Sequence, residues 1–169
     1  MKSHILIGLF TAHSGDLLSG AICEVTRGKY CHACFITNPA TLEIAEQFEP
    51  HFHFRNLSPA EAQFVEVFSI SGWTDHQDAA LRMLLAQRNA DQVPYWANGL
   101  LKFIPQYRAL DGEATAADWA EHAFCSMEVF EDVRLQGSEL LRANCWEVHP
   151  VMLGTSPLLN PEPKLEAAA

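Results

Sequence analysis

The sequence predicts an α+β fold, because strand-like segments fill the first part of the 169-residue chain and helical ones follow. Up to residue 70 the apolar residues come in short alternating runs broken by turn residues. At Gly72 the period changes, and Leu81, Leu84 and Leu85 return at helical spacing behind a Thr74–Gln77 capping pattern. The composition, 49% hydrophobic and 19% charged, is that of an ordinary folded protein long enough for one core.

Residues 5–10 read as a buried first strand. The apolar run is too short for a signal peptide or anchor, and it leads directly into the turn signal Ser14-Gly15-Asp16. No apolar run approaches the roughly 20 residues of a membrane span. Residues 17–25 are a short helix or a strand bent at Gly20. Gly28 marks a turn, and residues 30–37, rich in aromatic and β-branched side chains, read as a strand. After Asn38-Pro39 comes a strand over residues 42–48, with Leu42, Ile44, Glu46 and Phe48 on one face and Glu43, Ala45 and Gln47 on the other. Residues 51–57 and 62–70 complete the strand group. Helices are expected over 75–88, over 95–104 and around Cys125, the last ending near Gly137, with a loop at 106–118. Residues 145–148 read as a final strand. One domain is expected over 1–155, with a loose tail over 156–169.

The net charge of −10 argues against nucleic acid or an anionic membrane surface as partner, since no basic patch exists to neutralise phosphates. No nucleophile elbow, Walker loop or dinucleotide-binding glycine pattern occurs. Five cysteines at irregular spacings do not read as a disulfide framework, so a reducing compartment, the cytoplasm, is the expected location. Cys31 and Cys34 form a C-x-x-C, but on a strand they point to opposite faces about 10 Å apart, too far to share a metal or a disulfide. His51 and His53 lie on one strand face and could chelate a metal, although only Glu46 or Glu49 offers a third ligand. An ordinary strand face is the simpler reading.

Cys125 is the remaining candidate. A thiol near a helix start is acidified by the dipole and the free amides, and a nearby imidazole completes a thiolate–imidazolium pair. His32, on the strand over 30–37, is the histidine proposed for it.

Four segments then matter by their order: Gly15-Asp16-Leu17-Leu18, Tyr30-Cys31-His32-Ala33-Cys34-Phe35-Ile36, Leu42-Glu43-Ile44-Ala45-Glu46 and Phe124-Cys125-Ser126. Over about residues 14–135 this order resembles the circularly permuted NlpC-like papain-fold cysteine hydrolases, close to the lecithin:retinol acyltransferase-like group. The sequence departs from that family where Met127, rather than a glutamate, follows Cys125-Ser126. The resemblance implies a permuted papain-like fold, an antiparallel sheet with helices packed on it. It also implies a Cys–His–polar triad that needs no metal and no cofactor. Carried over, Cys125 is the nucleophile, His32 its base, and Tyr30 packs beside the site or donates a hydrogen bond. Glu46 is the choice for the third member, because it shares a face with Leu42, Ile44 and Phe48 and an inward carboxylate needs a partner. Glu43, on the other face, is the fallback. The implied reaction is amide hydrolysis through a thioester, on a substrate such as a cell-wall peptide, in a bacterial or phage-encoded protein. The alternatives are a lipid or acyl-chain thiol acyltransferase or hydrolase, and a catalytically inactive binding or virion-structural protein. An apolar groove at the site favours the acyl chain; a polar cleft favours a peptide.

Overall fold

The structure is a computed structural model that describes residues 4–12, 17–95 and 125–165. The turn expected at Gly15-Asp16, nearly all of the helix expected at 95–104 and the loop at 106–118 lie outside the described residues. Within them, six strands alternate with helices: β1 (Leu6–Thr11), α1 (Leu17–Thr26), β2 (Tyr30–Asn38), β3 (Glu43–Gln47), β4 (Phe52–Asn56), α2 (Pro59–Ala62), β5 (Val65–Ile70), α3 (Asp75–Asp91), α4 (Cys125–Leu135), a 3₁₀ turn (Cys145–Glu147), α5 (Pro150–Leu153) and β6 (Leu159–Glu162). The class is α+β, as expected. The strands form one antiparallel sheet in the order β4-β3-β2-β1-β5-β6.

The sheet is covered on both faces, which explains the alternation along its strands. Ile7, Leu9, Ala33, Phe35, Ala45 and Phe52 point to one side, where Leu81 and Leu85 of α3 and Met127, Val129, Phe130 and Val133 of α4 close over them. Cys34, Ile36, Ile44, Val65 and Val67 point to the other, against Leu57 and Ala62. Burying each large aliphatic or aromatic side chain contributes about 1.5–3 kcal/mol. β1, expected as a buried first strand, lies inside the sheet between β2 and β5. None of the described helices is long and apolar enough to cross a membrane.

Four local expectations are corrected. Residues 62–64 do not belong to a strand. Ser58 caps α2 through a capping box with Glu61, Pro59 starts the helix, and β5 begins only at Val65. The strand at 42–48 is shorter, because Leu42 takes a left-handed backbone (φ 57°) and completes the turn from β2. Residues 145–148 are not a strand: Asn144 and Glu147 bond each other across a 3₁₀ turn, and Pro150 opens α5 behind it. The segment expected as a loose tail supplies β6, which pairs with β5. Pro161 has no N–H to offer a further strand, so it fits this edge position. By contrast, the Thr74–Gln77 capping box forms as expected, and α3 runs on to Asp91.

Gly28, between α1 and β2, lies against the side chain of Val151 in α5, so a methyl group there would overlap it. Gly28→Ala is therefore expected to destabilise the protein by about 1–3 kcal/mol, read from the urea midpoint. Adding Val151→Ala should recover part of that loss; no recovery would show that the clash lies elsewhere.

Candidate active site

Strand parity and register place the site. His32 on β2 points to the same face as Cys34 and Ile36, and Glu46 on β3 to the same face as Ile44. β2 and β3 pair with Phe35 opposite Ala45, which sets Glu46 diagonally across from His32, within reach of a long side chain. Nε2 of His32 and Oε2 of Glu46 are 2.6 Å apart. On the next strand, Nε of Arg55 donates to the other carboxylate oxygen, Oε1, at 2.5 Å. His53, opposite Glu46 in the ladder, brings its Nε2 to 3.7 Å from that same oxygen.

Arg55 is anchored in turn. Its Nη1 donates to Oε1 of Glu61 at 2.8 Å, while Oε2 of Glu61 accepts from the Ser58 amide and hydroxyl in the capping box of α2. A helix cap, an arginine, a buried carboxylate and an imidazole thus form one continuous chain of polar contacts. Charge-assisted pairs of this kind are roughly twice as strong as neutral hydrogen bonds and fix orientation as well.

Cys125 completes it. Burial by itself lowers the pKa of His32, but the Cys125 sulfur, by charge and by side-chain hydrogen bonding, and then Glu46 outweigh burial and raise it to about 10. With Nε2 committed to Glu46, Nδ1 is the ring nitrogen left to face the thiol. Burial pushes the Glu46 carboxyl upward, yet His32 and Arg55 hold it down at about 2. α4, which carries Cys125, is tied down beside the site by the Ser126 hydroxyl, which donates to the Val148 carbonyl at 2.8 Å.

The His32 ring lies between two aromatic rings, both edge-on: Phe10 at 5.2 Å and Phe48 at 5.6 Å between centroids. Phe48 is 48% exposed and also packs on Tyr95. These residues open onto a cavity of about 310 Å³ lined by Phe10, Cys31, His32, Phe48, Arg55 and Phe64, among others. Its wall is mainly apolar and includes three phenylalanines, Phe10, Phe48 and Phe64, and Glu46, Arg55 and Glu61 also line it.

Of the residues singled out in the sequence, Cys125, His32 and Glu46 are brought together. Glu43 is not: its carboxylate accepts from the Thr37 hydroxyl at 2.6 Å. The Tyr30 hydroxyl donates to Glu66 at 2.6 Å, alongside Lys29, and the Tyr30 ring packs in the core. Cys31 and Cys34 are not joined in a disulfide, and Cys31 donates to the Phe10 carbonyl. His51 and His53 turn their Nδ1 atoms to backbone carbonyls, and no group of three metal-binding side chains forms among the described residues. Arg55, Glu61 and Phe48 were missed as site residues. The Ser-Pro-x-Glu cap of α2 was the available signal for Glu61, and the alternation of β4 was the signal for Arg55. No family model matches the chain, and no curated protein matches it.

The two pKa shifts set a pH window for stability. The raised His32 contributes fully below its ordinary value of 6.5, and that contribution is lost as pH rises through about 10. The depressed Glu46 contributes fully above 4.5, and its contribution is lost as pH falls through about 2. Glu46→Gln removes the carboxylate that His32 and Arg55 share and leaves Arg55 with Glu61 alone. It should cost roughly 3–5 kcal/mol at neutral pH and return His32 toward its ordinary titration range. Imidazole NMR titration and urea midpoints across pH check this; an unshifted His32 titration would remove Glu46 from the role assigned to it.

Proposed function

We propose that this chain is a cysteine hydrolase of the permuted papain-like (NlpC-like) kind, cleaving an amide bond through Cys125, His32 and Glu46. The observation that carries the reading is the coupling of the Cys125 thiol to an imidazole whose far nitrogen is held by a buried carboxylate. This is the arrangement that thiol-based acyl transfer requires: nucleophile, base and orienting group in line.

The steps follow from the geometry. Cys125 Sγ, as thiolate, attacks the carbonyl carbon and forms a tetrahedral intermediate. The His32 imidazolium gives its proton to the leaving nitrogen, the carbon–nitrogen bond breaks, and a thioester remains on Cys125. His32, now neutral, takes a proton from water, whose oxygen attacks the thioester. Collapse breaks the carbon–sulfur bond, releases the acid and leaves Cys125 as thiolate beside the His32 imidazolium, which is the starting pair. Glu46 stays ionised throughout and holds Nε2 of the imidazole.

Two substrate classes are compatible with that chemistry. A peptide amide, such as a cell-wall cross-link, is the primary reading. The aromatic cavity beside His32 favours the second, in which a lipid or acyl chain occupies the space between Phe10, Phe48 and Phe64 and the protein transfers or hydrolyses it.

Iodoacetamide labelling across pH, mapped by peptide, tests the nucleophile. Cys125 is expected to react fastest of the five cysteines, and His32→Ala should slow it by about tenfold or more. Equal rates at all five thiols would end the proposal. A series of acyl esters of increasing chain length, run beside peptide amides, separates the substrates. A kcat/KM that climbs with chain length supports the acyl reading, and cleavage of the amides alone supports the peptide.

A further inference from the structure

A second buried polar cluster lies in the seam between α3 and α4, away from the Glu46 carboxylate. Glu128 and Asp132 are four residues apart on α4 and therefore lie on the same helix face. Both are buried, Glu128 to 2% exposure. Among the described residues one cation serves them: Arg88 of α3 directs Nη2 (2.5 Å) and Nε (3.1 Å) onto a single oxygen, Oδ1 of Asp132. The closest approach of Arg88 to Glu128 is 3.5 Å, from Nε to Oε1. Three buried oxygens are left over, Oδ2 of Asp132 and both oxygens of Glu128, with no hydrogen-bond partner among the described residues.

Two ionised carboxylates only accept hydrogen bonds, so they cannot satisfy each other, and one guanidinium cannot neutralise both. A single proton resolves both problems. It must sit on Glu128, because Arg88 binds Asp132 directly and keeps that group charged. We propose that Glu128 is a neutral carboxylic acid in the folded protein, donates its O–H to Oδ2 of Asp132, and so acts as a positioning residue that docks α4 on α3. The seam then holds one cation, one anion and one neutral acid. The ionisation pattern agrees. Burial, followed by the charge of Asp132, pushes Glu128 well above the usual carboxyl range, whereas Asp132, raised by burial and pulled back by Arg88, sits at about 6. The charged or titratable groups acting on Glu128 are Asp132, Arg88 and Cys125.

The docking matters because Cys125 lies one turn before Glu128 on the same helix. A charged Glu128 would put a second negative charge near its sulfur and leave two buried anions to share one guanidinium. The neutral acid avoids both, and it adds the bond that fixes helix rotation. The proposal does not depend on the hydrolase reading.

Infrared spectroscopy of the full chain, with carboxyl-labelled [13C]glutamate, tests it without any variant. At neutral pH the native protein should show the carbonyl stretch of a protonated carboxylic acid, shifted by the label. That band should vanish in Glu128→Gln. The amide donates in place of the acid, so Glu128→Gln should melt within about two degrees of the native protein, while Glu128→Ala, which removes the donor, should melt about 5 °C lower. Absence of the labelled band, its survival in Glu128→Gln, or a Glu128→Gln that fails to fold or melts as low as Glu128→Ala would each overturn the assignment.

Discussion

The carboxylate of Glu46 is out of contact with water yet ionised, and much of the site follows from that combination. Removing such a group from solvent costs several kcal/mol, and the cost is recovered only if its lone pairs meet cations at close range. His32 meets one oxygen and Arg55 the other. The demand is structural, because it ties β2, β3, β4 and α2 together at one point of the sheet. It is also chemical, because the same contact keeps a proton on the imidazole beside Cys125. In the proposed hydrolase, stability and reactivity therefore share one interaction.

α4 illustrates the same constraint from the other side of the site. Its residues from Cys125 to Val133 are all buried, although three of them are acidic. Two of the acids have a direct guanidinium partner: Asp132 has Arg88, and Glu131 has Arg134 at 2.5 Å. The apolar residues Met127, Val129, Phe130 and Val133 hold the helix against the first face of the sheet. A helix enclosed this completely has few alternative positions, since protein interiors pack as densely as organic crystals. That rigidity is what a thiol needs if it is to meet an imidazole borne on another element.

Periodicity carried much of the fold into view. The alternation at Leu42, Ile44 and Glu46 placed the carboxylate on a buried face, and the Thr74–Gln77 box placed the start of α3. The same capping pattern at Ser58 and Glu61 is followed directly by an apolar run, which extends the expected strand back to Ala62, the last residue of α2. The Cys145 segment misled for a related reason: three residues hold too little pattern to separate a strand from a 3₁₀ turn. β6 was hidden because Pro161 and its polar neighbours read as a tail, and nothing local announces that an edge strand is available to receive them.

By itself the sequence determined strand parity, the start of α3, and the thiol and imidazole worth examining. Each of these depends on side-chain spacing along a single segment. What the tertiary structure alone decided was which distant groups meet. Arg55 reaches Glu46 because β3 and β4 share a register, Arg88 serves Asp132 because two helices share a seam, and Tyr30 turns away to Glu66. Contacts of that kind are set by how elements dock, and docking depends on the whole core at once.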